Sequence, residues 1–133
     1  MIKLDEFRPG NFLLEKTGVR VLISTCNARH YSMSPSDNAK NLFPVVLNAD
    51  VFSKAGFIEN KDYALLPEAR EFRLVLPVKT GNVTEIMGYI KNNKEAFARA
   101  QVSNQIASNP VYHLHQLQNL FYALTGEEMV YKI

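Results

Sequence analysis

The chain has 133 residues and a mass of 15.1 kDa; 47% of its residues are hydrophobic and 21% charged, with six Gly, six Pro and one Cys. That size suits one domain able to bury roughly two-thirds of its unfolded surface and leaves no room for a second core, so residues 1–133 are read as a single α+β unit. Fifteen Lys and Arg against thirteen Asp and Glu give a net charge of +2 with no block of like charge, unlike the basic stripe of a dedicated nucleic-acid binder. The lone Cys26 leaves no internal disulfide, residues 1–6 lack the apolar core of a secretion signal, and the apolar run Leu42–Leu47, with Pro44 inside it, is far below the ~18 residues of a membrane span. The expectation is a cytoplasmic protein that does not enter a membrane.

In chain order, Phe12–Glu15 and Val19–Thr25 are rich in β-formers and flank Lys16-Thr17-Gly18, which predicts a hairpin with Val19, Val21 and Ile23 on its buried face. Residues 26–41 are polar and turn-prone and read as a long loop. Phe43–Leu47 reads as a short buried strand. Asn48 then caps a helix over Ala49–Ala55 with Val51, Phe52 and Ala55 on its apolar face, Gly56 stops it, and Phe57 folds back onto that face.

Phe72, Leu74 and Leu76 alternate with Glu71, Arg73 and Val75 over Glu71–Val78, a period-two strand, and Thr80-Gly81-Asn82 marks a turn. Val83–Ile90 and Phe97–Val102 fit either one imperfect helix or two strands around Asn92-Asn93-Lys94; Gly88 and the Asn pair favour strands. Asn109 and Pro110 would open a C-terminal helix over Pro110–Thr125 with Leu114, Leu117, Phe121 and Leu124 inward, and Gly126 would end it. Met129–Ile133 would form a short last strand or fray. The architecture expected is a bent antiparallel sheet, starting from a small-barrel-like hairpin, packed on this long helix and the short central one.

Chemistry-bearing motifs are sparse. Ser36-Asp37-Asn38 and Lys79-Thr80-Gly81 match two boxes of penicillin-binding enzymes, but no serine has a lysine three positions later to take its proton, and Lys-Thr-Gly recurs at Lys16–Gly18 as turn chemistry. His113 and His115 on one helix would point about 200° apart and could not share a metal; with no second cysteine and no carboxylate cluster near His30, no metal and no cofactor are expected. Cys26 reads as a buried thiol with no base beside it. Phe7-Arg8, Arg29-His30-Tyr31 and Phe72-Arg73 are too scattered in the sequence for a base-stacking platform.

One feature stands apart. Tyr112, His115, Gln116, Gln118, Asn119 and Tyr122 make a helix flank with hydrogen-bonding groups and no charge, which suits contact better than solvation. It would serve as an internal seam, a protein interface or a ligand pocket.

The block from Tyr112 to Met129, with His115-Gln116-Leu117-Gln118-Asn119-Leu120 at its centre and Ala123-Leu124-Thr125-Gly126-Glu127-Glu128 at its end, resembles the closing block of small uncharacterised Bacteroidetes proteins found near prophages and other mobile elements. Arg8-Pro9-Gly10-Asn11 resembles their opening, and Phe43–Leu47 leading to Lys54-Ala55-Gly56-Phe57 resembles their middle, with Asn48 where a Thr commonly stands. The resemblance implies a mobile-element accessory protein and brings no activity, cofactor or catalytic residue. The functions expected are, in order, a non-catalytic interaction module that binds another protein or itself, a nucleic-acid-associated protein using the sheet surface, and an enzyme using His115 or Cys26.

Overall fold

The computed structural model describes residues 6–17, 20–26, 41–61, 69–77, 83–92 and 95–132. Strands β1 (Phe12–Thr17), β2 (Arg20–Thr25) and β3 (Leu42–Phe43) precede helix α1 (Ala49–Lys54). Strands β4 (Ile58–Glu59), β5 (Ala69–Val75), β6 (Thr84–Lys91), β7 (Glu95–Val102) and β8 (Gln105–Ile106) follow, and helix α2 (Leu114–Thr125) comes last. Among the described residues the chain is α+β, with two antiparallel sheets in place of the one expected: a small sheet in the order β2-β1-β3 and a larger one in the order β4-β5-β6-β7-β8.

In the hairpin, Leu14 pairs with Ile23 and Lys16 with Val21. Ile23 packs on the main core with Phe12 and Leu14, whereas Val21, beside the exposed Lys16 near the tip, is 53% exposed. The shared face therefore reaches the core at only one of the expected positions described; Val19 lies outside the described residues, as do Ser36-Asp37-Asn38, Lys79-Thr80-Gly81 and nearly all of the loop expected over 26–41. Leu13 points the other way, into a second cluster with Phe7, Cys26 and Leu42.

The strand expected over Phe43–Leu47 is cut short at Phe43, because Pro44 has no N–H to give a ladder. Beyond it Val45 and Leu47 turn inward while Val46 is exposed and bridges to His113. Asn48 caps α1 through its Oδ1, which accepts from Val51 N at 2.9 Å. Gly56, at φ 89°, ends the turn, and Phe57 folds back with its ring centroid 5.1 Å from that of Phe52.

The strand expected over Glu71–Val78 is found as Ala69–Val75, with Val78 outside the described residues, and the choice of two strands over 83–102 holds. Phe72, Ile86, Ile90, Ala96 and Ala98 line the inner face of the larger sheet and meet Phe52, Leu114, Leu117 and Phe121 in one core. The β7–β8 connection turns at Ser103 and Asn104, both at positive φ, the backbone a two-residue hairpin of type I′ requires.

Helix α2 starts four residues later than Pro110 and has 12 residues. Its expected first turn is instead extended and works as a strand edge. Val111 exchanges both backbone hydrogen bonds with Ala98 (2.7 and 2.9 Å), and the Tyr112 carbonyl accepts from Leu47 N at 3.1 Å. These pairings satisfy backbone groups that a helix would otherwise bond internally, so the helix begins only after His113. Gln116 then caps it, its Oε1 accepting from the backbone N–H groups of Tyr112 and His113. The C-terminal stop at Gly126, φ 73°, is where the sequence puts it. Residues 129–132 form no strand; Met129 is buried and Lys132 N donates to Lys54 O.

Candidate functional site

The uncharged flank is split by the late helix start. His115, Gln118, Asn119 and Tyr122 remain on one side of α2, and residues 6–12 lie against them. Gln118, buried, accepts from Phe12 N through Oε1 at 2.9 Å. Asn119 uses both ends of its amide, Oδ1 accepting from Arg8 Nε at 2.7 Å and Nδ2 donating to the Glu6 carbonyl at 3.1 Å. The Arg8 guanidinium lies 4.2 Å from the Tyr122 ring centroid and pairs with Glu128 at 2.7 Å.

The turn that delivers Arg8 is built by its own neighbours. Asn11 Oδ1 accepts from Arg8 N at 2.7 Å, Gly10 takes φ 93°, and Gly10 N and Cys26 O are joined at 2.8 Å. The Arg8-Pro9-Gly10-Asn11 segment and the Tyr112–Met129 block thus meet in space, and their polar side chains are used on each other. On this side Tyr122 keeps 43% of its surface exposed.

His115 is 2% exposed, stacked on Phe7 at 3.8 Å between ring centroids, with Glu6 Oε2 3.6 Å from Nε2 and neither ring nitrogen hydrogen-bonded. Burial pushes the imidazole down to about 4; His113 acts the same way and Glu6 opposes them. The expected divergence of the two histidines does not occur: with His113 extended and His115 helical, their rings lie 5.8 Å apart at 14°. Among the described residues no group of three or more His, Cys, Asp or Glu is placed to hold a metal ion. Cys26 is buried and unpaired, its backbone N bonded to Asn11 O at 2.6 Å.

Tyr112 belongs to a different surface. Because Val111 bridges to Ala98, Tyr112 stands opposite Phe97 on the outer face of the larger sheet, where Phe97 in turn pairs with Tyr89. Ring centroids are 5.4 Å apart for Tyr89 and Phe97 and 6.4 Å for Phe97 and Tyr112. The next row of the register is Arg73, Met87 and Arg99, and the row beyond it Val75, Glu85 and Gln101. The Arg99 guanidinium lies 5.5 Å from the Tyr89 centroid and 5.9 Å from that of Phe97, and Lys91 Nζ is 5.6 Å from Phe97. These are cation–π distances. The members of this row are far apart in the chain: the β6–β7 register sets Tyr89 opposite Phe97, and Tyr112 joins them only through the bridge of Val111 to Ala98.

Beside the rings the outer face opens into a groove of about 970 Å³ lined by Glu59, Asn60, Arg73, Glu85, Tyr89 and Gln101, among others. Its carboxylates are already occupied. Glu85, 4% exposed, is ion-paired with Arg73 and accepts from Gln101 Nε2 at 3.0 Å. Glu59 receives both Arg70 nitrogens at 2.8 Å; this bidentate contact, partly offset by burial and helped by Lys61, holds its carboxyl down to about 2. Glu71 accepts from Asn60 Nδ2 at 3.0 Å. No serine, cysteine or histidine is among the described residues lining the groove, so these residues offer shape, rings and cations in place of a nucleophile with its base.

No family model, curated protein or solved structure matches the chain.

Proposed function

We propose that this chain is a non-catalytic binding module, a cytoplasmic accessory protein of a phage or other mobile element, and that its contact surface is the outer face of the larger sheet. The observation that carries this reading is the row Tyr89–Phe97–Tyr112 with Arg99 and Lys91 against its rings. Aromatic and Arg side chains on a formed, partly open surface are what contact sites concentrate, because they supply large rigid area with a polar handle. The helix flank is the weaker candidate, since Gln118 and Asn119 spend their amides on residues 6–12. The enzyme reading has the least support: His115 and Cys26 are both buried and lie in different surroundings from the groove.

The test is a map of backbone amide shifts in the labelled protein as nucleic-acid and protein fractions of a cell extract are added in turn. Shifts concentrated on residues 85–91, 97–101 and 111–112 are the expected result. Shifts confined to Arg8 and Tyr122, or none with either fraction, would refute it.

A further inference from the structure

The aromatic row has a geometry that selects among partners. It runs across β6, β7 and the extended segment at Tyr112, so its rings are held at the inter-strand spacing and not along one strand. Tyr112, at the open end, is 51% exposed, and Tyr89 and Phe97 are half-buried. Two cations accompany the row without an acid partner among the contacts described: Lys91, exposed, and Arg99, whose Nε is buried and has no hydrogen-bond acceptor. Arg73 is not available in the same way, being paired with Glu85.

Rings in a line with cations beside them are complementary to unpaired bases joined by phosphates. Every base has a face to stack, and each phosphate is an acceptor for a guanidinium or ammonium group. Double-stranded nucleic acid offers the phosphates but hides the base faces. Resting on the reading of the outer face as the contact surface, we infer that this face binds single-stranded nucleic acid, with bases stacked on Tyr112, Phe97 and Tyr89 and phosphates beside Arg99 and Lys91. The acidic groups of the same face limit the electrostatic share: Glu85 is neutralised by Arg73, Glu71 is held by Asn60, and Glu95 stands across from Lys91 in the register. Stacking carries the binding, and its salt dependence is shallow.

That balance gives numbers. Two phosphate contacts on a single strand correspond to a slope of roughly −1.4 in log affinity against log salt, or about a 7-fold loss between 50 and 200 mM. Loss of one stacking ring weakens binding roughly 5- to 150-fold.

The experiment is fluorescence anisotropy of the full chain with labelled oligothymidine DNA and oligouridine RNA of about 15 nucleotides, and with a duplex of the same length. Binding of either single strand ahead of the duplex is expected, the DNA and RNA arms deciding which sugar is preferred. Tyr112→Ala should lose affinity in the stated range and Tyr112→Phe should keep it, since the face and not the hydroxyl is used. Arg99→Gln should weaken binding and make the salt slope shallower by roughly 0.7. Tyr122→Ala, on the far side of α2, should bind as the parent does. Unchanged melting of Tyr112→Ala and Arg99→Gln shows that each variant is folded. Absence of binding at about 50 mM salt, equal affinity for duplex, or an unaffected Tyr112→Ala overturns the inference. If neither single strand binds but a protein fraction shifts the amides of residues 85–112, the contact surface stands and its partner is a protein; if neither does so, the contact surface fails as well.

Discussion

Replacing Gly88 by Ala tests how α1 sits on the larger sheet. A Cβ built at Gly88 would lie 2.7 Å from two ring carbons of Phe52 and 3.1 Å from a third, where ordinary contact begins near 3.4 Å. Phe52 is fully buried, with the rings of Phe57 and Phe72 at 5.1 and 5.0 Å between centroids, so the ring has to move by about 0.7 Å or more into packed neighbours. Overpacking of this kind costs about 1–3 kcal/mol. The loss of glycine's freedom in the unfolded chain returns about 0.4–1 kcal/mol, leaving a net destabilisation of about 1–2 kcal/mol. Urea unfolding of Gly88→Ala should show a lower midpoint with an unchanged slope. In a Phe52→Leu background, which withdraws the ring edge, the same change should cost little, a coupling of about 1 kcal/mol or more. A cost below about 0.5 kcal/mol in the parent, or one of equal size in both backgrounds, would refute the packing.

Three further outcomes follow from the seam between residues 6–12 and the C-terminal segment that begins with α2. The folded chain holds the His115 imidazole near 4 against an ordinary 6.5, so between those values the unfolded chain takes up a proton that the folded one refuses. Stability from this group is complete above pH 6.5 and falls as the pH drops towards 4, by at most about 3 kcal/mol; His115→Gln should flatten that part of the pH profile in urea unfolding, and a parallel profile would contradict it. Gln118→Ala leaves the Phe12 N–H without its acceptor and should cost about 1–3 kcal/mol, while Glu128→Gln, breaking a solvent-exposed pair with Arg8, should cost under about 1 kcal/mol by the same measurement.

What was legible in the sequence was local. The Asn48 cap, the Gly56 stop, the Phe57 return and the alternation of β5 depend on residues a few positions apart, and β6 and β7 follow from Gly88 and the Asn pair that disfavour a helix. Gly88 favoured strand over helix by propensity, yet its structural use is the space it leaves for Phe52, which no periodicity displays. The start of α2 was misplaced because Asn109-Pro110 is a good local opening while the partners of Val111 and Tyr112, Ala98 and Leu47, lie 13 and 65 residues earlier in the chain. The same non-local pairing moved Tyr112 off the helix flank and into the aromatic row. For the flank itself, Gln118 and Asn119 meet residues 6–12 only because of a turn formed by Gly10 and Asn11, which no helical spacing displays.

The most direct check on the central claim, that Tyr89, Phe97 and Tyr112 form one row on the outer sheet face, is ring-to-ring proton contact by nuclear Overhauser spectroscopy in the unbound protein. Contacts from Phe97 to both tyrosines, with strand-type backbone contacts between Val111 and Ala98, are expected. Sequential helical amide contacts running from Val111 into His115, with no contact between the Phe97 and Tyr112 rings, would contradict it.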